Sequence, residues 1–147
     1  MNATVSAAAR APWHLWVIGI LSLLWNAFGC YDYLMTVTHD EAWLANIPPA
    51  ALAIVDSFPA WAVATWAIGV WVSVLGSILL LLRSRHAALA FLVSLAGALV
   101  SYSYQATTDL PVVMGGASYW IMPAVIVVAI VAQWYYAKRM TDAGVLR

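Results

Sequence analysis

Hydrophobic residues fill four long segments of this chain, and polar residues or helix breakers separate them. A helix needs about 20 predominantly apolar residues to cross a bilayer. The segments of suitable length cover about residues 13–35, 60–82, 87–104 and 119–137. The sequence therefore predicts an all-α integral membrane protein, with residues 1–147 forming a single transmembrane four-helix bundle.

The long connection over about residues 36–59 is predicted to contain short helical pieces. Asp40 lies where an acidic residue favours the first turn of a helix, and Pro49 suits the first position of a second short helix that continues through Val55. Ser57 is expected to cap the second span. The loop is apolar enough to lie on the membrane surface, although a moving lid over the bundle is the alternative.

Composition supports lipid as the main solvent. The 147 residues are 65% hydrophobic and 8% charged, whereas soluble domains average about 45–50% apolar and about 25% charged residues. A chain of this length buries only about two-thirds of its surface on folding. The net charge is zero and no basic run is present, so nothing indicates nucleic-acid binding. The single cysteine, Cys30, excludes an intramolecular disulfide framework.

The charges predict an orientation. All six cationic residues lie on one side of the predicted spans: Arg10, Arg83, Arg85, Lys138, Arg139 and Arg147. The acidic residues on the opposite side are Asp32, Asp40, Glu41, Asp56 and Asp109. Because cations accumulate in cytoplasmic segments, we expect a multi-pass protein of a bacterial inner (plasma) membrane, with both termini in the cytoplasm.

The first span has an alternative interpretation as a cleaved signal peptide. Ala27-Phe28-Gly29-Cys30 faintly resembles a lipoprotein cleavage box. Phenylalanine fits that box poorly, and the hydrophobic segment continues beyond Cys30 without a break. We therefore interpret it as a permanent span.

Small and polar residues form a stripe along each of the first three spans. The stripes are Ser22, Trp25, Asn26, Gly29, Asp32, Tyr33 and Thr36; Ala62, Thr65, Gly69, Ser73 and Gly76; and Ala90, Ser94, Gly97, Ser101, Tyr104 and Gln105. Such residues let membrane helices approach closely, so close packing explains most of them. The fourth span has one strongly polar residue, Gln133, and is expected to be the most lipid-exposed.

Asn26 and Asp32 are the best candidates for a functional site, because polar groups inside a span need a partner. Asp32 could bind a proton, a cation or a hydroxylated solute, or could simply be hydrated at headgroup depth. For Asn26, an interhelical hydrogen bond is the favoured alternative. The predicted substrate-binding residues are Trp25, Asn26, Asp32, Tyr33, Ser101 and Tyr104.

Little in the sequence indicates a cofactor or catalysis. The histidines show no metal-ligand spacing, and no hydrolase, phosphate-loop or zinc motif is present. His14 and His86 both lie near the cytoplasmic side, where a haem-binding pair in an intramembrane redox enzyme is the alternative. We expect no cofactor and no metal. Nothing in the sequence argues for an enzyme, although the absence of motifs does not exclude an intramembrane one.

Several stretches are similar to a known group of proteins. They are Leu24-Trp25-Asn26-Ala27-Phe28-Gly29, Tyr31-Asp32-Tyr33-Leu34-Met35-Thr36, Phe58-Pro59-Ala60-Trp61, Trp66-Ala67-Ile68-Gly69-Val70, Gly76-Ser77-Ile78-Leu79-Leu80-Leu81-Leu82-Arg83 and Ser94-Leu95-Ala96-Gly97. They resemble small four-span proteobacterial inner-membrane proteins that are uncharacterised or named "sugar transporter". The resemblance implies that Asn26, Asp32 and the nearby aromatic residues are the first places to look for a solute site.

These observations favour a small protein that transports or binds a neutral, sugar-like solute or a lipid-like molecule. Four helices hardly enclose an aqueous path, so a homo-oligomer is expected. The alternative is an accessory subunit that packs against a larger membrane complex. Membrane lipids are expected partners in both cases, and nucleic acid in neither.

Overall fold

A computed structural model describes residues 10–147 of the chain. Its long helices are α1 (Trp13–Val37), α4 (Ala60–Leu81), α5 (His86–Gln105) and α7 (Ile121–Asp142). The short ones are α2 (Glu41–Leu44), α3 (Pro49–Asp56), α6 (Leu110–Val113) and a 3₁₀ helix, Gly116–Trp120. Four helical segments are long and apolar enough to cross a membrane. The predicted all-α membrane bundle is confirmed, with span ends that move by a few residues.

The long helices pack in chain order. α1 packs against α4, α4 against α5, and α5 against α7. The closest approach is between α4 and α5, where the buried Ser94 hydroxyl donates a hydrogen bond of 2.6 Å to the Gly69 carbonyl. The small-residue stripes of these two spans therefore pack against each other, as predicted. The fourth span has the smallest buried share, 17% of its most hydrophobic window, and this confirms its exposed character.

The antiparallel spans give the bundle two chemically different ends. Among the described residues, the cationic end is formed by residues 10–12, the α4–α5 turn and the residues after α7. The acidic end is formed by the connections between α1 and α4 and between α5 and α7. The cationic end carries Arg10, Arg83, Arg85, Lys138, Arg139 and Arg147. Asp142 is the only acidic residue of the sequence at that end.

The connection at the acidic end contains the two predicted short helices. Asp40 caps α2 by accepting a 2.8 Å hydrogen bond from the Trp43 backbone N–H, and Pro49 opens α3. The prediction for Ser57 was wrong: its hydroxyl donates to the Ile54 carbonyl at 2.6 Å and closes α3, while Pro59 holds the N-cap position of α4. Proline fixes an extended entry to the helix without a side-chain cap.

At the cationic end, the chain after α7 folds back onto the bundle. Gly144 adopts φ +71°, and the Val145 N–H bonds to the Met140 carbonyl at 2.9 Å, which is the helix-ending pattern favoured by glycine. Val145 and Leu146 are then buried in the main apolar cluster. The backbone of Arg147 pairs with the α4–α5 turn through bonds of 2.8 and 3.0 Å to Arg83 and Arg85.

Candidate functional site

Asn26 lies in a central polar cluster between three spans, which we define as Asn26, Ser73, Ser77 and Gln133. Its amide nitrogen donates to the Ser73 carbonyl at 3.2 Å, the Ser77 hydroxyl at 2.9 Å and the Gln133 side-chain oxygen at 3.0 Å. All four residues are buried. These contacts join α1 to α4 and α7, and they match the interhelical role that the sequence favoured for Asn26.

We predict that Asn26→Ala lowers the free energy of unfolding by about 1 kcal/mol, since interhelical side-chain hydrogen bonds in membranes are worth about 0.6–1.7 kcal/mol. SDS titration of the purified protein measures the change. Ser103→Ala is the matched control, because the exposed Ser103 hydroxyl bonds only to the Leu99 carbonyl of its own helix. A double-mutant cycle with Gln133→Ala should show coupling, and strictly additive losses would contradict the shared network.

Asp32 belongs to a second group of polar side chains, which lies near the acidic end of the bundle. We define the acidic-end cluster as Asp32, Trp43, Tyr102, Gln105 and Tyr119. The Asp32 carboxylate accepts a 3.1 Å hydrogen bond from the Trp43 indole N–H. Tyr102 lies on α5 one helical turn before Gln105, so it belongs to the same end of the bundle. The residues of this cluster therefore come from α1, α2, α5 and the 3₁₀ helix.

Gln105 links the 3₁₀ helix to α5. Its side-chain oxygen accepts a short hydrogen bond from the Tyr119 hydroxyl, and its nitrogen donates to the Ser101 hydroxyl at 3.1 Å. Ser101 and Gln105 are one turn apart and both buried. The acidic end thus offers a carboxylate bonded to an indole N–H and an amide bonded to a phenol hydroxyl, groups that can hydrogen-bond a polyhydroxylated molecule.

The other predicted site residues lie apart from this network. Tyr33 packs edge-on against Trp66, with ring centroids 5.0 Å apart. Tyr104 packs edge-on between Phe58 and Trp61, at 5.1 and 5.0 Å. These pairs brace the ends of α1, α4 and α5. The Trp25 side chain is 40% exposed on the perimeter, so the structure does not bring it to either polar cluster.

An apolar groove with a volume of about 510 Å³ runs between α5 and α7, and Tyr102 is one of its walls. Its lining residues are Leu99, Tyr102, Ser103, Ala106, Trp120, Pro123, Ala124, Val127 and Val128. Because Tyr102 also belongs to the acidic-end cluster, the groove places an apolar wall beside a polar group. The combination is complementary to an amphipathic molecule.

Sequence reasoning predicted only Asp32 of the acidic-end cluster as a site residue. It placed Gln105 in a packing stripe and missed Trp43, Tyr102 and Tyr119. Tyr102 had a usable signal, since it lies three residues before Gln105 and so on a neighbouring face of the same helix. Trp43 and Tyr119 had none, because each reaches the cluster from a connection. No set of three or more His, Cys, Asp or Glu side chains within residues 10–147 is arranged to hold a metal ion. His14 bonds to Tyr136 at 2.6 Å, and His86 contacts Ser84.

The fold and composition together define a multi-pass helical membrane protein. The sequence matches no protein-family model, and no curated protein or solved structure is significantly similar to it. The two polar clusters and the groove between α5 and α7 are therefore the features that bear on function.

Proposed function

We propose that this protein binds a neutral amphipathic molecule with a hydroxylated, sugar-like head and transports it across a bacterial inner membrane. The observation that carries the proposal is the position of Tyr102, which lines the apolar groove and lies one helical turn from Gln105 of the acidic-end cluster. The cationic end would face the cytoplasm, because cationic residues accumulate in cytoplasmic segments.

The head group would lie against Asp32 and the tyrosine hydroxyls. A carboxylate offers about four acceptor positions, and the Trp43 N–H occupies one of them. Hydroxyl groups of a sugar-like head can donate to the remaining positions and accept from Tyr102. An anionic head is disfavoured, because every Lys and Arg of the sequence lies at the opposite end of the bundle. The apolar part of the molecule would then follow the groove between α5 and α7.

Transport through this small bundle favours an assembly of several copies. The groove described above opens on the perimeter of the bundle rather than along its axis. A second copy packed against α5 and α7 would close that groove into a passage. We therefore propose a homo-oligomer as the working unit.

Binding is tested with the purified protein in nanodiscs, titrated with octyl glucoside below its micellar concentration and followed by tryptophan fluorescence. Asp32→Asn and Tyr102→Phe should each weaken binding about tenfold, since hydrogen bonds to a charged group are worth about 1.5–3 kcal/mol. The controls are Asp109→Asn and Tyr31→Phe, which alter an exposed carboxylate and an exposed phenol of the same end. Equal weakening in the controls, or tighter binding of an octyl chain with a cationic head, would reject the proposed site.

An accessory subunit of a larger complex is the second candidate. The observation that favours it is the continuous apolar exposure of α7, including Ile121, Met122, Val125, Val128 and Val131. Gentle extraction with a tag on this chain would then recover another membrane protein in fixed proportion. Recovery of this chain alone, as a homo-oligomer, would exclude a stable complex.

A further inference from the structure

A second groove, with a volume of about 370 Å³, lies between α1 and α7 towards the cationic end. It is lined by Ile18 from α1 and by Ala132, Gln133, Tyr135, Tyr136 and Arg139 from α7. Within residues 10–147, these two helices are not among the pairs that pack closely along their backbones. Side chains join them instead, through Asn26 to Gln133 and His14 to Tyr136. The seam between the helices therefore stays open at the surface.

We propose that this groove binds an anionic phospholipid, with the phosphate at Arg139 and an acyl chain beside Ile18 and Ala132. The site is at the opposite end from the acidic-end cluster, so it is independent of the proposed transport site. The groove begins near Gln133 and ends at Arg139, six residues or about 9 Å further along α7. The groove thus changes from apolar to charged along its length, and a phospholipid changes in the same direction from its acyl chains to its headgroup.

Charge complementarity identifies the occupant. Among the described residues, Arg139 has no carboxylate within ion-pair distance, because the single acid of this end, Asp142, pairs with Lys138 at 2.9 Å. The Arg139 guanidinium instead lies 5.9 Å from the centre of the Tyr135 ring. This position leaves its N–H groups free to donate to a phosphate. Basic pockets between spans at the cytoplasmic side are known binding sites for anionic headgroups.

The aromatic residues complete the walls of the site. Tyr136 is fixed by the 2.6 Å hydrogen bond to His14 and so spans the seam at the base of the groove. Tyr135 is exposed, and its ring can lie at headgroup depth, where tyrosine is enriched. Tyr136 thus forms a fixed wall of the groove, while Arg139 stays accessible from the lipid.

Native mass spectrometry of the intact protein with defined lipids tests this proposal. The probes are palmitoyl-oleoyl phosphatidylglycerol and the matching phosphatidylcholine, mixed in equal amounts. We expect the wild type to retain phosphatidylglycerol preferentially, and Arg139→Gln to lower that preference about fivefold. Arg85→Gln removes an exposed cation of the same end that does not line the groove, so it is the matched control and should leave the preference unchanged. Arg139→Lys keeps the charge and should retain most of the preference.

A second variant tests the groove itself. Ala132→Trp fills it without altering charge and should reduce retention of phosphatidylglycerol. Three results would overturn the proposal: no lipid preference in the wild type, equal losses in Arg139→Gln and Arg85→Gln, or displacement of the lipid by inorganic phosphate at a matched concentration. The last result would identify a phosphate site that does not use the acyl chain.

Discussion

Replacing Gly97 with alanine is expected to destabilise the bundle by about 2–3 kcal/mol, because the added methyl group overpacks a close helix–helix contact. A Cβ atom at this position would lie 2.9 Å from both the Gly69 nitrogen and the Thr65 carbonyl oxygen. Both neighbours are backbone atoms of α4, so no side-chain rotation can make room. The two helices would have to separate, and the packing along their whole contact would loosen.

Gly29→Ala is the matched control for this prediction. A Cβ atom there would meet only the Val70 side chain at 3.8 Å, an ordinary contact. Both variants add one methyl group to a membrane helix and both gain helix propensity. SDS titration should therefore separate them by at least about 2 kcal/mol. Equal stability of the two variants would contradict the close packing of α4 against α5.

Leu146→Ala is expected to lower the free energy of unfolding by about 2–3 kcal/mol. The Leu146 side chain is 3% exposed and belongs to the cluster that includes Leu15, Leu80 and Phe91. Removing buried methyl groups costs their transfer free energy plus the cavity that they leave. The effect reports on the docking of residues 143–147, which holds the ends of α4, α5 and α7 together.

Leu82→Ala removes the same atoms from a side chain that is 71% exposed, and it should change stability by less than about 0.5 kcal/mol. Thermal unfolding in one detergent, followed by far-ultraviolet circular dichroism, compares the two variants. If both were equally stable, the segment after α7 would not be docked on the bundle.

The spans were predictable because hydropathy over about 20 residues is a strong and local signal. The stripes of small residues were also predictable, because the helical repeat places the residues of each stripe on one face of its own helix. Gly69 lies on the stripe of α4, and Ser94 lies on the stripe of α5. The sequence showed Gln133 and Asn26 separately, each as a polar residue within a predicted span. Their pairing was not predictable, because it depends on how α1 and α7 are arranged across the bundle.

The candidate site was only partly predictable for the same reason. Asp32 was identified from its position within a span, but its partner Trp43 depends on the turn after α1. There, His39 adopts a left-handed backbone with φ 55° and reverses the chain. Tyr119 reaches Gln105 only because the connection after α5 folds back over it. Docking of residues 143–147 was missed since five residues carry no hydropathy pattern, although Gly144 marks the helix end.

We propose above all that the acidic-end cluster holds a neutral amphipathic molecule. Native mass spectrometry of protein gently extracted from its own membrane tests it most directly, with Asp32→Asn and Asp109→Asn measured alongside the wild type. We predict a homo-oligomer that retains a neutral molecule of defined mass, lost in Asp32→Asn and kept in Asp109→Asn. A wild-type protein that carries no such molecule, or that keeps it equally in both variants, would contradict the claim.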